Sequence, residues 1–397
     1  MNIITSSAKL AAACERLARH PYITVDTEFM RETTYYPKLC LLQVASVEEA
    51  LLIDPLAQDI DLEPFFSLLR DGRVIKVFHA ARQDIEIFWH MARTIPQPLF
   101  DTQIAAMVCG YGDQVSYEQL ANDLGNARID KTQRFTDWSR RPLSEAQLNY
   151  AKADVTHLRA VYEALAGKLA ASGRESWLAE DMAVLEAPGT YETKPEDAWQ
   201  RLAGRLKKQR DLGVLIEVAA WRERDAQKRD VPRQRVLRDD ALMEVVQARP
   251  QSVEALGRLR AVSQGLERSR AGQAIIAAVE RGVAIDPKNL PPLARRTRLP
   301  RHDSTVEFLK LLLKIVSQKT GVASKIIATV DDLDALAVSA TQVQPVLTGW
   351  RGEIFGDLAR DAIAGRVALA LERGEPRIIT LDSGEETPSR RRQALVA

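Results

Sequence analysis

Asp26 and Glu28 stand one residue apart at the end of the run Tyr22-Ile23-Thr24-Val25, whose aromatic and β-branched side chains favour a strand. Successive strand side chains point to opposite faces, so both carboxylates project the same way and Thr27 the other. Two carboxylates side by side repel unless a cation lies between them, and hard oxygen ligands of this kind suit Mg²⁺ or Mn²⁺. The spacing alone is unspecific, since Asp84-Ile85-Glu86 repeats it. Asp84 falls in the first turn of the helix expected after a strand at 74–79, a position that by itself only complements the helix dipole. Tyr150 and Asp154 lie four apart in an alanine-rich helical stretch, on one face. Ser144 and Gln147 give that helix a start signal with capping-box spacing.

Packed together, Asp26, Glu28, Asp84 and Asp154 carry a formal charge of −4 and destabilise the fold unless cations neutralise them. Two divalent ions do so, and a pair of ions clamps the attacking and leaving oxygens of a phosphodiester. A tyrosine hydroxyl beside such a site can orient the attacking water. The chemistry these residues support is metal-assisted phosphodiester hydrolysis.

The elements that must bring them together are legible in outline. Residues 7–19 read as a helix, and strands follow at 22–28, 39–45 and 50–53. Their short connections imply an antiparallel meander. A helix at 62–70, a strand at 74–79, a helix at 81–92 and a short strand at 99–101 complete an α/β layer with a mixed sheet. If strand 74–79 lies beside strand 22–28, Asp84 arrives near Asp26. From 102 onward the pattern is helical. Ala187-Pro188-Gly189-Thr190-Tyr191 marks a boundary, and a proline-rich break runs from Asp286 to Asp303. Residues 304–373 read as all-α, and the polar, Arg-rich end from about Glu375 is expected to be disordered.

With 397 residues, 46% hydrophobic and 27% charged, the chain fits a soluble protein of two or three domains. Its net charge of +1 is unevenly spread. Residues 201–300 hold 22 Lys and Arg against 12 Asp and Glu, a net +10, which leaves −9 for the rest. An acidic part joined to a basic part points to a metal site in one and polyanion binding in the other. Its arginines are interleaved with few aromatics, which favours phosphate-backbone contact over base stacking; Trp199 and Trp221 read as core. The three cysteines form no Cys-x-x-Cys pair and the five histidines show no zinc-ligand spacing, which argues against a structural zinc or a disulfide framework. Lys9, Glu15 and Arg16 interrupt the alanine-rich N-terminus, and no stretch reaches the roughly 20 apolar residues of a membrane span. A cytoplasmic protein without membrane contact or organic cofactor is expected.

Asp26-x-Glu28, Asp84 and Tyr150-x-x-x-Asp154, in that order, resemble the three exonuclease motifs of the DEDDy family of 3′→5′ exonucleases. Val25-Asp26-Thr27-Glu28-Phe29, His79-Ala80-x-x-x-Asp84 and Tyr150-Ala151-x-x-Asp154 carry the likeness. Phe29-Met30-Arg31, Tyr36-Pro37, Asp130-Lys131 and Asp137-Trp138-x-x-Arg141-Pro142-Leu143-Ser144 resemble the bacterial ribonuclease D branch. The resemblance implies a ribonuclease-H-like mixed sheet flanked by helices over residues 1–187. Two all-α domains would follow, HRDC-like at 194–282 and a divergent copy at 303–374, with a tail at 375–397. It implies Asp26, Glu28, Asp84 and Asp154 as ligands of two divalent ions and Tyr150 as the residue positioning the water. Phe29 and Met30 would pack against the terminal base or ribose, with a core role suiting Phe29 equally, and His79 would touch the scissile phosphate region, with a buried structural role suiting it at least as well. The implied substrate is RNA, such as tRNA precursors with 3′ extensions. A proofreading-type DNA exonuclease and an inactive nucleic-acid-binding scaffold are the competing readings.

Overall fold

The computed structural model describes residues 3–127, 129, 132–206, 208–292, 303–339 and 345–381. The motif residues Asp130 and Lys131 and most of the proline-rich break lie outside them. Backbone contacts divide the chain into two units. The first holds Met1–Asp101, Ala121–Tyr162 and Asp181–Arg296, and the second Thr102–Leu120, Glu163–Glu180 and Thr297–Ala397. The contiguous boundaries expected from the sequence do not follow this division. Thr102–Leu120 and Glu163–Glu180 group with the last helical region, and the first helical region groups with the sheet.

The elements of the first part of the chain are β1 (Ile3–Ile4), α1 (Ser7–Leu17), β2 (Tyr22–Met30), β3 (Lys38–Ala45), β4 (Ala50–Ile53), α2 (Glu63–Arg70), β5 (Ile75–Phe78), α3 (Arg82–Ala92), β6 (Leu99–Asp101), α4 (Thr102–Val108), α5 (Tyr117–Gly125) and α6 (Glu145–Ser172). Six strands form one sheet in the order β1-β4-β3-β2-β5-β6. β2, β3 and β4 form the antiparallel meander, and β5 joins β2 in parallel with Thr24 beside Val77. The sheet is therefore mixed, as expected. The two-residue β1, paired in parallel with β4, is too short to leave a sequence signal.

β3 is a nearly unbroken buried strand, which suits its place between two neighbours. α6 covers the face to which Thr24 points: the Thr24 hydroxyl donates to the carbonyl of Val155 at 2.7 Å. The opposite face is aromatic. Phe78 of β5 and Phe65 and Phe66 of α2 surround Phe88 of α3, with centroids 5.6–6.3 Å apart. The first helical region has its own core, in which Leu215, Leu242, Val245 and Ile275 are fully buried and against which Trp199 and Trp221 pack. Both tryptophans are half-buried against that core, where the sequence reading placed them inside it.

In the second unit, helices Asp303–Thr320 and Val330–Val338 lie in the region expected to be all-α. The expectation fails at its end. Val367–Glu372 and Glu375–Thr380 pair as an antiparallel hairpin, so residues 375–380 are a strand and not part of a disordered tail. Arg373 (φ 54°) and Gly374 (φ 88°) form the two-residue turn, the left-handed geometry that a tight hairpin requires. Alternating Val367, Leu369 and Leu371 before Arg-Gly was the available signal. The remainder of the expected tail, 382–397, lies outside the described residues. Among the described residues, no helix is long and apolar enough to cross a membrane.

Candidate active site

β2 delivers Asp26 and Glu28 to the face covered by α6, and α6 delivers Asp154 to the same place. One carboxylate oxygen from each lies within 4.8 Å of the others. Asp84 is not one of this trio. It stands in the first turn of α3 and accepts a hydrogen bond from the Thr27 hydroxyl. Asp84 therefore meets β2 from the side to which Thr27 points, while its charge still acts on Asp26 and Glu28. The four acids approach the end of β2 from both faces of the strand, a finer arrangement than the simple convergence the sequence suggested.

Three local features hold these side chains. At the start of α6, the Ser144 N–H donates to Gln147 Oε1 (3.0 Å) and the Gln147 N–H to Ser144 Oγ (3.2 Å), the reciprocal pair of a capping box. Just before it, Arg141 donates to both carboxylate oxygens of Asp54 at 2.7 Å and to the carbonyls of Cys40 and Trp138 at 2.6 and 2.8 Å. This ties the approach to α6 onto β3 and the end of β4. At the start of α3, Asp101 accepts from the backbone N–H groups of Ala80 (3.1 Å) and Ala81 (2.8 Å). Ala80 has a left-handed φ of 59°, and Asp101 fixes that bend and with it the first turn that carries Asp84.

The electrostatics of the cluster are those of half-buried Asp26 and Glu28 facing buried Asp154, with buried Asp84 beside them. Burial pushes Asp26 up to about 7, and only a backbone hydrogen bond from Thr27 opposes it. Burial, then the charges of Asp26, Asp154 and Asp84, pushes Glu28 up to about 10, with Arg134 opposing. Burial and the Asp26 charge push Asp154 up to about 8, and Asp84 is likewise held well above the usual range. The tyrosine responds the same way: burial, then the charges of Asp154, Glu28 and Asp26, raises its pKa, and its hydroxyl donates to Asp154. Tyr150 thus stays protonated, its ring 6.0 Å from that of buried Trp138. Hard oxygen donors, close together and short of positive charge, are the donor set that divalent cations such as Mg²⁺ fit; this acidic cluster is consistent with a metal site.

The remaining candidates are less telling. Phe29 and Met30 are half-buried at the end of β2, beyond a register shift between Glu28 and Phe29, and Met30 packs on the cluster containing Cys40 and Trp138. His79 is half-buried; burial lowers its pKa against the nearby charge of Asp101. Thr27, Asp101 and Arg141 escaped notice as positioning residues. Asp101 at a strand end was visible in the sequence, but its partners are created by the fold.

Residues 1–170 match the family model described as a 3'-5' exonuclease, and residues 211–279 match the HRDC domain model. The class is therefore that of an exonuclease domain followed by a helical HRDC module. Ribonuclease D of Nitrobacter hamburgensis is 53% identical over 94% of this chain and 98% of its own length. Ribonuclease D of Granulibacter bethesdensis is 46% identical over 95% and 96%. The crystal structure of Escherichia coli RNase D, described as an exoribonuclease involved in structured RNA processing, matches with a TM-score of 0.81. It shares 31% identity, covering 92% of this chain and 99% of that one. The chain belongs to the ribonuclease D family.

Proposed function

We propose that the protein is a metal-dependent 3′→5′ exoribonuclease that hydrolyses phosphodiesters from RNA 3′ ends and releases 5′-mononucleotides. The observation that carries this reading is the trio of Asp26, Glu28 and Asp154, with Asp84 beside it, in a chain of ribonuclease D ancestry. Asp26, Glu28, Asp84 and Asp154 would hold two divalent cations, Mg²⁺ or Mn²⁺. Bound there, such cations neutralise developing charge on the phosphodiester and raise the acidity of the attacking water.

The chain's own residues supply orientation. Tyr150 keeps its proton, and its hydroxyl can hydrogen-bond the attacking water while Asp154 fixes the phenol. Phe29 and Met30 flank the acids on β2 and would hold the terminal nucleotide, with His79 near the phosphate. The helical region at 194–282, net basic, would add phosphate contacts that act through counterion release and weaken with salt. Transfer RNA precursors with 3′ extensions are the substrate this organisation suits, in the cytoplasm.

Incubation of the protein with 3′-extended tRNA and matched single-stranded DNA, with Mg²⁺, Mn²⁺ or EDTA, tests the reading by product size. Metal-dependent mononucleotide release from RNA is expected, and preferential release from DNA would contradict it. Tyr150→Phe should lower kcat on the order of 10²-fold or more, as loss of an orienting group does, while RNA affinity and thermal stability change little. Near-normal turnover in that variant would reassign the water's orientation.

A further inference from the structure

Gln43 is the one polar side chain in the buried run Leu39–Ala45 of β3. It is fully buried, and neither its amide nitrogen nor its amide oxygen has a hydrogen-bond partner among the described residues. Each unsatisfied buried polar group costs on the order of 1–3 kcal/mol. Its neighbours Leu41, Leu42 and Val44 are all apolar and completely buried. A leucine or methionine would satisfy this strand better on packing grounds alone.

The register shows what the amide faces. Gln43 pairs directly with Asp26 across the antiparallel β2–β3 ladder, and with Leu52 across β3–β4. Side chains directly opposite in such a pair project to the same face, with Cβ atoms about 4.5–5.5 Å apart. The Gln43 amide therefore lies on the α6 face beside Asp26. Leu41, Leu52 and Ala151 form one cluster there with Trp138, and Tyr150 packs against it.

We propose that Gln43 is a positioning residue for Asp26, its side-chain N–H donating to the Asp26 carboxylate when that carboxylate is ionised and liganding a divalent cation. The chemistry of the side chain fits the task. A lysine or arginine here would neutralise Asp26 and repel a metal, and an acid would add to the crowding. An uncharged donor steadies the carboxylate and leaves its charge for the cation. The inference rests on the metal-site reading above, and its test separates the two.

Gln43→Met keeps length and volume and removes the donors. In EDTA its thermal midpoint should equal or exceed that of the unaltered protein, because an unsatisfied amide has gone. Its Mn²⁺ affinity by calorimetry should fall about 10-fold to 100-fold, the effect typical of lost outer-shell support. The rate should fall in parallel and recover at raised Mn²⁺, with KM for RNA unchanged. A lower midpoint with unaltered Mn²⁺ affinity would make Gln43 purely structural and overturn the proposal; so would no change in either quantity. Asp26→Asn is the control. If it leaves Mn²⁺ binding and activity intact, the metal-site reading fails; if it abolishes both while Gln43→Met does not weaken binding, only the present inference fails. A measurement on the unaltered protein covers the case in which Gln43→Met does not fold. With glutamine side chains labelled for nitrogen NMR, a buried amide pair should shift on adding Mg²⁺, and a spectrum in which none responds overturns the proposal.

Discussion

Acids at two places in the sheet-bearing unit are treated in opposite ways. At the end of β4, Asp54 is buried, but Arg141 grips both its oxygens. Burial pulls its pKa up, and the Arg141 hydrogen bonds, a backbone N–H from Leu56 and the Arg141 charge outweigh that and hold it below the ordinary value. At the end of β2, Asp26, Glu28 and Asp154 share one spot and are pushed up, to about 7, 10 and 8. The Arg134 charge opposes the rise at Glu28. A buried carboxylate that finds its counter-charge within the chain is a structural fastener. A group of facing carboxylates such as Asp26, Glu28 and Asp154 is instead consistent with a site for divalent cations. The first helical region repeats the fastened kind: fully buried Glu223 is held by Arg233 and Tyr35.

Substitutions break the comparison most sharply at the cluster. On the proposed metal-site reading, Asp26→Asn should lower the metal-dependent rate on the order of 10³-fold or more, the several kcal/mol of transition-state charge stabilisation that a ligated metal supplies. The same substitution should raise stability without metal, because it removes one of the repelling acids. Arg141→Met should do the reverse. Breaking a buried pair costs about 3–5 kcal/mol; with Arg141 partly exposed, about 2–3 kcal/mol is expected from chemical denaturation. Mn²⁺ affinity of the folded variant should stay near normal. Comparable stability losses in both variants would erase the distinction.

The smaller effect is in pH. In EDTA, the cluster acids bind protons more tightly folded than unfolded. Stability should therefore fall as pH rises from the ordinary carboxylate range, near 4, through about 7 and 8. The Asp54 contribution has the opposite sign: its lowered pKa supplies stability above the ordinary value that is lost as pH drops through the folded one. Thermal midpoints measured between pH 5 and 8 should show the decline in the unaltered protein and a flatter profile in Asp26→Asn. A profile that rises over this range would mean that the cluster is not repelling.

Much of this was legible in the sequence where the signal is local. Period two set Asp26 and Glu28 on one face, the helical period set Tyr150 beside Asp154, and Ser144 with Gln147 announced the start of α6. The strands of the meander were readable from apolar runs, whereas the place of β5 beside β2 entered the sequence reading only as a condition. What was not legible depends on partners far along the chain. Nothing near Arg141 announces Asp54, and nothing near Thr27 announces that its hydroxyl meets Asp84. The division into units was hidden for the same reason: Thr102–Leu120 and Glu163–Glu180 read as helices of the first domain, yet associate with residues beyond 297. The hairpin at 367–380 was legible in principle, through Arg373-Gly374 between apolar alternations, and was masked by its polar, arginine-rich surroundings.

Divalent-metal titration of thermal stability at pH 8 tests most directly whether Asp26, Glu28 and Asp154 repel one another without a cation and bind one. Mg²⁺ or Mn²⁺ should raise the midpoint of the unaltered protein above its value in EDTA, by about 2.7 kcal/mol of stability at a hundredfold excess over Kd. Asp26→Asn should start higher in EDTA and gain little from either ion. A midpoint that ignores both ions in the unaltered protein, with Asp26→Asn less stable in EDTA, would contradict the account.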